Sequence, residues 1–330
     1  MKINKSIIKV SYRIKRVNPE NYDLRDHLHF KGDLENTIGE IHLARIKNAK
    51  VVQYFLFSRL KLLKHYCLVP QLLKGFYWKP AVKNILFPTK RIDNGIWVID
   101  NWSKGYFHWI TDVLPRLITC ERASVVSPVL FPEHFLKVGF IRESLEIFGC
   151  QYISYPLDKS IKVKELYAPS HLCPCGGDPE QLQAVRLKFR IKDKFDYKGY
   201  KKIYISRSKA ARRTIVNEDK LINLLYRYNI EVVYMEELDF FQQRKLMSET
   251  NIIISNHGAG LTNMIFMPDN SKVIELKADA NNINNCFFNL ARGLDHEYYY
   301  TINKGNNSDV QRSDITVDLE KLENILNHFS

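Results

Sequence analysis

The stretch Asn251-Ile-Ile-Ile-Ser-Asn-His-Gly-Ala-Gly-Leu-Thr-Asn-Met-Ile-Phe-Met267 passes from an apolar run, through polar residues and two glycines, into a second apolar run. The isoleucines predict a buried strand, and the second run predicts a helix over residues 260–266. Gly258 and Gly260 remove side chains from the turn, so that another group can approach the backbone closely. The first amides of a helix have no acceptor within it, and the turn is therefore predicted to bind a phosphate-sized anion. A purely structural role for the glycines is the alternative.

Strand and helix patterns alternate around this stretch throughout the second half of the chain. The predicted strands are residues 202–206, 231–235, 251–255, 272–276 and 297–302. The predicted helices are residues 218–228, 239–249, 260–266, 285–294 and 317–328. Short apolar runs that alternate with helical patterns of about ten residues indicate βαβ units and a parallel sheet. We therefore predict an α/β, doubly wound, Rossmann-like domain for this half.

The first half has the same pattern in a less regular form. Its predicted strands are residues 95–99, 128–131, 151–155 and 163–167, and its predicted helices are residues 106–120 and 133–148. Residues 1–80 mix short apolar runs with basic residues and are not assigned to elements. The segment 169–179 is rich in proline and glycine and is the predicted linker. We expect two domains, residues 1–178 and 179–330.

Composition limits the classes of protein to which the chain can belong. Of the 330 residues, 45% are hydrophobic and 26% are charged, as in a soluble globular protein. The longest apolar runs are too short to span a bilayer, and the N-terminus has no apolar core of a signal peptide, so we expect a cytoplasmic protein. The six cysteines are scattered, which fits reduced thiols. Cys173 and Cys175 follow His171, but this is not the usual zinc spacing, and no metal site is predicted.

The net charge of +13 favours an anionic partner, such as nucleic acid, an acidic membrane surface or a phosphorylated small molecule. A solvated basic surface is the alternative for most of the lysines. Arg207 and Arg213 differ from them, because they follow the predicted strand 202–206 and arginine binds phosphate oxygens in a bidentate manner. Glu275 lies at the end of the strand 272–276, where a carboxylate can accept from two ribose hydroxyls. An ordinary carboxylate at a strand end is the alternative for Glu275.

The first half contains a histidine and a carboxylate four residues apart, His108 and Asp112. On a helix this spacing places both side chains on one face. A carboxylate beside an imidazole fixes its tautomer and stabilises the imidazolium, which is the arrangement of a general base. A structural hydrogen-bonded pair is the alternative, and the spacing leaves open which of the two takes the proton. The aromatic residues around them, such as Trp102 and Trp109, fit either a core or a wall that stacks on a sugar.

Four blocks of the chain, in this order, together resemble glycosyltransferase family 61. They are residues 101–117, 206–218, 257–263 and 273–275. The resemblance implies a GT-B architecture, two Rossmann-like doubly wound domains facing across a cleft, and inverting transfer from a nucleotide sugar, usually a UDP-sugar. It assigns the donor to the C-terminal domain, through Arg207, Arg213, Asn256, His257, Gly258, Ala259, Gly260, Leu261, Thr262, Asn263 and Glu275. It assigns the catalytic pair His108 and Asp112 to the N-terminal domain, and we place Asn101, Trp109 and Arg116 near the acceptor.

No Asp-x-Asp pair occurs in the chain, so we expect a reaction that requires no cofactor and no divalent metal. Helix ends and arginine side chains would then stabilise the departing diphosphate. The expected acceptor is a hydroxyl of a bacterial surface glycan, such as a capsular polysaccharide or a glycan on a lipid carrier, with the basic N-terminal third against the anionic inner leaflet. A nucleic-acid-binding protein without catalysis is the rival interpretation, but no recognised nucleic-acid module is present. A dehydrogenase would need the Gly-x-Gly-x-x-Gly fingerprint, which the chain lacks.

Overall fold

The computed structural model describes residues 3–67, 83, 85–100, 102–171, 177–210, 212–279, 284–310 and 312–329. Asn101, Cys173 and Cys175 therefore lie outside the described residues. The chain divides into two compact units. The first comprises Met1–Tyr12 and Thr37–Pro174, and the second comprises Arg13–Asn36 and Cys175–Ser330. Both units contain helices and sheets, so the predicted α/β class is confirmed.

Within the described residues, the strands, labelled β1 to β16, are Asn4–Lys9, Tyr12–Lys15, Glu35–Ile38, Ile41–Val52, Phe55–Ser58, Lys61–Leu62, Lys90–Ile96, Val129–Pro132, Tyr152–Tyr155, Ser160–Pro169, Lys201–Ile205, Glu231–Val233, Thr250–Asn256, Lys272–Asp279, Glu297–Gly305 and Ile315–Thr316. The α-helices are His27–Leu34, Tyr106–His108, Leu114–Arg122, Gly139–Ile147, Pro179–Asp193, Glu218–Arg227, Phe240–Ser248, Cys286–Gly293 and Leu319–Leu326. Trp109–Val113 is a π-helix, and Glu133–Lys137 and Ala259–Phe266 are 3₁₀-helices. No helix in this part of the chain is long and apolar enough to cross a membrane.

The second unit is built on a sheet with the order β12-β11-β13-β14-β15-β16. The first five of these strands are parallel to their neighbours, and β16 is antiparallel to β15. The parallel sheet predicted for this half is therefore confirmed. Numbered along the chain, the parallel strands lie in the order 2-1-3-4-5, so the winding reverses between β11 and β13. Ligands of such sheets bind outside the carboxyl ends of the strands at the point of reversal.

Both faces of this sheet are covered by helices, which explains why the central strand β13 is almost entirely buried and has three consecutive isoleucines at its middle. On one face, Ile252 and Ile254 belong to a buried cluster with Leu221 and Leu322, which lie on two of the helices. On the other face, Phe189 of Pro179–Asp193 packs against Phe266, with ring centroids 5.0 Å apart. The helix Pro179–Asp193 was not predicted, although Asp178 caps its first turn by accepting from the Gln181 amide at 3.0 Å.

The first unit contains a mixed sheet with the order β6-β5-β4-β10-β7-β8-β9, and β1 pairs with β4. Strands β10, β7, β8 and β9 are parallel to one another, as the βαβ pattern of this half predicts. The antiparallel part of the sheet comes from residues 1–80, which the sequence left unassigned. Strand β4, in this segment, is antiparallel to β1, β5 and β10. The first unit is therefore only partly parallel.

The segment Arg13–Asn36 packs with the second unit, whereas the sequence placed it in a domain of residues 1–178. Phe30 anchors it, because its fully buried ring contacts Phe288 and Tyr300 with centroids 5.2 and 4.8 Å apart. Asp33 adds hydrogen bonds from the side-chain amides of Asn285 at 2.8 Å and Asn289 at 2.7 Å. Both anchors pair with residues about 250 positions away, which no local pattern reveals.

We expect Phe30→Ala to destabilise the second unit by about 3–5 kcal/mol, because it removes a fully buried aromatic ring. Leu28→Ala, two positions away at a side chain that is 80% exposed, is the matched control and should change the free energy of unfolding by less than about 0.5 kcal/mol. Denaturant unfolding followed by far-ultraviolet circular dichroism measures both variants, because all four tryptophans lie in the first unit. Equal stability of Phe30→Ala and Leu28→Ala would show that the segment does not belong to the folded unit.

Candidate functional site

The predicted anion-binding residues lie at the carboxyl ends of β11 and β13, where the winding of the sheet reverses. The Arg207 guanidinium lies over Gly258, and a β-carbon at position 258 would be 2.6 Å from Arg207 Nη1. The Asn256 side chain donates to the Arg213 carbonyl, which ties the loop after β11 to the end of β13. The structure thus brings together Arg207, Arg213, Asn256 and Gly258, and the absence of a side chain at position 258 makes room for a guanidinium.

The two arginines hold donors that no group in the described part of the chain satisfies. Arg207 Nη2 donates to the Arg212 carbonyl at 3.0 Å, but Nε of Arg207 and Nε of Arg213 are buried without a hydrogen-bond partner. Burial lowers the pKa of both guanidinium groups, and the charge of Arg207 lowers the pKa of Arg213 further. Arg213 also has a φ of 59°, a left-handed conformation that costs about 1–3 kcal/mol for such a residue. Two mutually repelling cations, one of them with a strained backbone, suit the predicted binding of an anion.

The 3₁₀-helix Ala259–Phe266 replaces the α-helix predicted over residues 260–266. Its residues divide between the site and the core. Ala259 and Gly260 are partly exposed, whereas Leu261 and Asn263 are buried, and Asn263 donates to Gln243 Oε1 at 3.1 Å. Leu261 and Asn263 were predicted to contact the donor, but they offer it no surface, so this prediction is corrected. Thr262 is also buried, yet its Oγ1 has no partner among the described residues.

Glu275 is fully buried and already has partners within the protein. Its Oε1 accepts from His257 Nδ1 at 2.5 Å, and its Oε2 accepts from the Tyr298 hydroxyl at 2.5 Å. Burial acts to raise the pKa of Glu275, but Lys277 and His257 outweigh burial and hold the pKa at about 2. Because Glu275 has no exposed surface, it is not accessible to a ribose in this structure. The predicted ribose contact is therefore corrected, and Glu275 is an ionised partner of His257.

The pair His108 and Asp112 lies in the first unit, with His108 Nδ1 and Asp112 Oδ2 2.7 Å apart. The two side chains are 26% and 11% exposed, so both retain access to solvent. Asp112 lies in the π-helix Trp109–Val113, in which the Leu114 amide bonds to the Trp109 carbonyl five residues earlier. Single π-helical turns within α-helices are frequent at functional sites. Because Asp112 occupies Nδ1, Nε2 is the nitrogen of His108 that can receive a proton.

Asp100 organises the turn before this helix, and the sequence did not identify it. Its Oδ1 accepts from the amides of Trp102 at 2.7 Å and Ser103 at 3.0 Å, and its Oδ2 lies 2.9 Å from His171 Nε2. Burial acts to raise the pKa of Asp100, but these bonds, the His171 bond first, lower it. The turn places the partly exposed Trp102 ring 5.2 Å from the His108 ring. An Asp two residues before Trp102 is a turn signal, but its link to His171 is not local.

Two of the residues predicted to contact the acceptor are core residues. Trp109 has no exposed surface, and its indole N–H donates to Ser144 Oγ at 2.7 Å. Arg116 is buried and donates to the carbonyls of Val98 at 2.6 Å and Pro169 at 3.2 Å. Neither side chain offers a surface to an acceptor, and both predictions are corrected. The exposed aromatic residue beside His108 is Trp102.

One known protein family matches the part of the chain that contains the His108–Asp112 pair and the two arginines, Arg207 and Arg213. A sequence model described as Glycosyltransferase 61 matches residues 106–274, just over half of the 330-residue chain. The chain belongs to glycosyltransferase family 61. The match begins just before His108 and ends just before Glu275, so it contains the His108–Asp112 pair and the arginine site. The resemblance described from the sequence is therefore confirmed.

Similar proteins carry a more specific name. The EGF domain-specific O-linked N-acetylglucosamine transferase of Drosophila melanogaster is 36% identical over 92 residues, which are 27% of this chain and 17% of that protein. The Mus musculus protein of the same name is 38% identical over 85 residues, which are 24% of this chain and 16% of that protein. This family 61 chain thus matches less than a fifth of the length of either relative.

We expect Gly258→Ala to weaken anion binding without unfolding this family 61 protein. The added carbon would displace the Arg207 guanidinium, which is the far end of a flexible side chain and can move while the backbone stays in place. Loss of one charge-assisted contact corresponds to roughly a tenfold weaker affinity or more. Calorimetric titration with pyrophosphate measures the affinity, and thermal melting checks the fold. Gly32→Ala, where no atom lies within 4 Å of the new carbon, is the control, and equal affinities of the two variants would contradict the expectation.

Proposed function

We propose that the chain transfers a sugar from a nucleotide diphosphate donor, with UDP as the nucleotide, to a hydroxyl group with inversion at the anomeric carbon. The observation that carries this proposal is the pairing of Arg207 and Arg213, two guanidinium groups whose positive charges repel each other beyond the carboxyl ends of the strands. They lie at the crevice where sheets of this order bind ligands. Family membership supports the reaction class, and the two arginines support a substrate that carries an anionic group.

The donor side of the proposal rests on electrostatics. A diphosphate beside Arg207 and Arg213 would accept hydrogen bonds from the guanidinium groups, relieve their mutual repulsion and meet the amides that begin Ala259–Phe266. Preorganised cations stabilise charge most effectively where it develops during the reaction. The same groups would therefore bind the donor and stabilise the departing diphosphate, in a reaction that we propose needs no divalent metal.

The acceptor side of the proposal rests on the His108–Asp112 pair. In the proposed step, Nε2 of His108 takes the proton of an acceptor hydroxyl while Asp112 holds Nδ1 and stabilises the imidazolium. The hydroxyl oxygen forms a bond to the anomeric carbon, and the bond from that carbon to the phosphate oxygen breaks with its electron pair. Trp102, whose ring lies beside that of His108, offers an apolar surface to the acceptor sugar. A GT-B arrangement, with one domain for each substrate, belongs to this proposal.

We propose an acceptor that offers a hydroxyl group, and two kinds of acceptor fit this description. A bacterial surface glycan on a lipid carrier offers a hydroxyl, and the net charge of +13 supports contact with an anionic inner leaflet in that case. The named relatives favour a second candidate, a hydroxyl of an EGF domain that receives N-acetylglucosamine. An acceptor screen with both an oligosaccharide panel and a folded EGF domain separates the two candidates.

Arg213→Ala should weaken the binding of the donor nucleotide by roughly tenfold to a hundredfold, because it removes a buried charged donor. The control is Arg212→Ala, an exposed arginine of the same loop, which should bind within about twofold of the parent protein. Calorimetry with UDP, GDP and ADP and their nucleotide sugars, in the presence of EDTA, measures the affinities. Absence of binding by the whole panel would remove the transferase proposal from first place, and loss of binding in EDTA alone would overturn the metal-independent reaction.

His108→Ala should lower kcat by about 10²–10⁴-fold, the usual contribution of a general base. Asp112→Asn should lower kcat by a smaller factor, because the amide can still hold the ring but cannot stabilise its positive charge. Both variants should keep the donor affinity of the parent protein. The measurement is transfer of labelled sugar to the acceptor found in the screen, and unchanged kcat in His108→Ala would exclude it as the base.

A further inference from the structure

A second histidine–carboxylate pair, His257 and Glu275, lies in the donor-binding unit and has no role in the chemistry proposed above. It differs from the His108–Asp112 pair in its burial, because His257 is 7% exposed and Glu275 is fully buried. The Glu275 carboxylate is fixed by the Tyr298 hydroxyl on one oxygen and by His257 Nδ1 on the other. The carboxylate thereby orients the imidazole, so that Nε2 is the nitrogen left for a ligand.

The charged groups that act on His257 oppose one another. Glu275 favours the imidazolium, whereas Lys277 on the same strand and Arg213 on the loop after β11 disfavour it. Phe287, from the following helix, packs edge to face against the imidazole, with the two ring centroids 4.9 Å apart. Burial is the largest influence and, with the two cations, lowers the pKa of His257. The ring is therefore neutral near pH 7 in the free protein, although it has an ionised carboxylate as a partner.

A bound diphosphate would reverse this balance. His257 directly precedes Gly258, over which the Arg207 guanidinium lies, so a diphosphate held by the arginines brings its negative charge next to the ring. Negative charge nearby favours the protonated form of a histidine. We propose that His257 takes up a proton when the nucleotide diphosphate binds and donates it as a hydrogen bond from Nε2 to the diphosphate, with Glu275 as its positioning residue. This inference rests on the proposed function.

The proton balance of the reaction is then complete. The proton of the acceptor hydroxyl goes to His108, and the electron pair of the breaking bond goes to the phosphate oxygen. The proton on His257 comes from solvent when the donor binds, stays on Nε2 as a charge-assisted hydrogen bond while charge builds on the diphosphate, and returns to solvent when the nucleotide leaves. His257 thus adds a third cationic donor that exists only while the donor site is filled.

The opposite role for His257 has a different signature. A neutral His257 could accept from a ribose hydroxyl through Nε2, because Nδ1 carries the proton shared with Glu275. In that case the nucleoside alone would bind through the histidine, and no proton would be taken up. The phosphates are therefore the part of the ligand that distinguishes the two roles.

The test is calorimetric titration of the wild-type protein at about pH 7, where His257 is neutral in the free protein, with the nucleotide sugar that binds most tightly in the panel. Repeating it in buffers of different ionisation enthalpy gives the number of protons taken up. A nucleotide sugar is the suitable probe, because its phosphates have no proton to exchange near this pH. We expect uptake of about 0.5–1 proton in the wild type. We expect none in His257→Gln, whose affinity should also fall by about tenfold.

Three controls make the outcome decisive. His328→Gln, an exposed histidine of the same unit, should keep the proton uptake, and the corresponding nucleoside should bind without any. Glu275→Gln should reduce the uptake and lower kcat more than it raises KM, which a purely structural role would not do. If the wild type binds the nucleotide sugar without proton uptake, or if His257→Gln keeps the uptake, the inference fails while the proposed function stands. Absence of nucleotide binding in the wild type overturns both.

Discussion

The close approach of the Arg207 guanidinium to the backbone at Gly258 is the contact on which the proposed donor-side chemistry depends. Two neighbouring arginines repel each other and lose hydration on burial, so they are unfavourable unless something anionic joins them. Two features hold them in place nevertheless: position 258 lacks a side chain, which leaves room for the Arg207 guanidinium, and Asn256 donates to the Arg213 carbonyl. Arg213 itself adopts a left-handed backbone conformation. Local strain of this kind persists where the surrounding structure enforces it, and it is concentrated at functional sites.

The two histidine–carboxylate pairs show how burial assigns different roles to the same groups. In both pairs the carboxylate binds Nδ1, at 2.7 Å in His108–Asp112 and at 2.5 Å in His257–Glu275. His108 is partly exposed, which suits the proposed transfer of a proton from an acceptor hydroxyl. His257 is buried, and burial, together with Lys277 and Arg213, lowers its pKa. The first environment suits a base, and the second suits a donor that is switched on by its ligand.

The parts of the fold and of the site that could be predicted are those whose signals are local. The apolar run before Ser255 indicated a strand covered on both faces, and spacing identified His108 with Asp112. The segment Arg13–Asn36, by contrast, joins the second unit through contacts that are distant in the chain. Position at a strand end does not reveal burial either, and so Glu275 was assigned to a ribose although its oxygens already have protein partners. The same limit applies to Trp109, because helical periodicity does not distinguish a wall of a binding site from the core beneath it.

The proposed acceptor site includes residues outside the His108–Asp112 motif, and Asp100 is an example. β7 and β10 are neighbouring parallel strands, so the residues that follow them, Asp100 and His171, meet at one edge of the sheet. Asp100 also fixes the amide of Trp102, and the Trp102 ring lies beside the His108 ring. Loss of the Asp100 carboxylate would leave several buried donors unsatisfied and release the turn that carries this ring. The position of the aromatic ring beside the proposed base therefore depends on a carboxylate that need not touch the substrate.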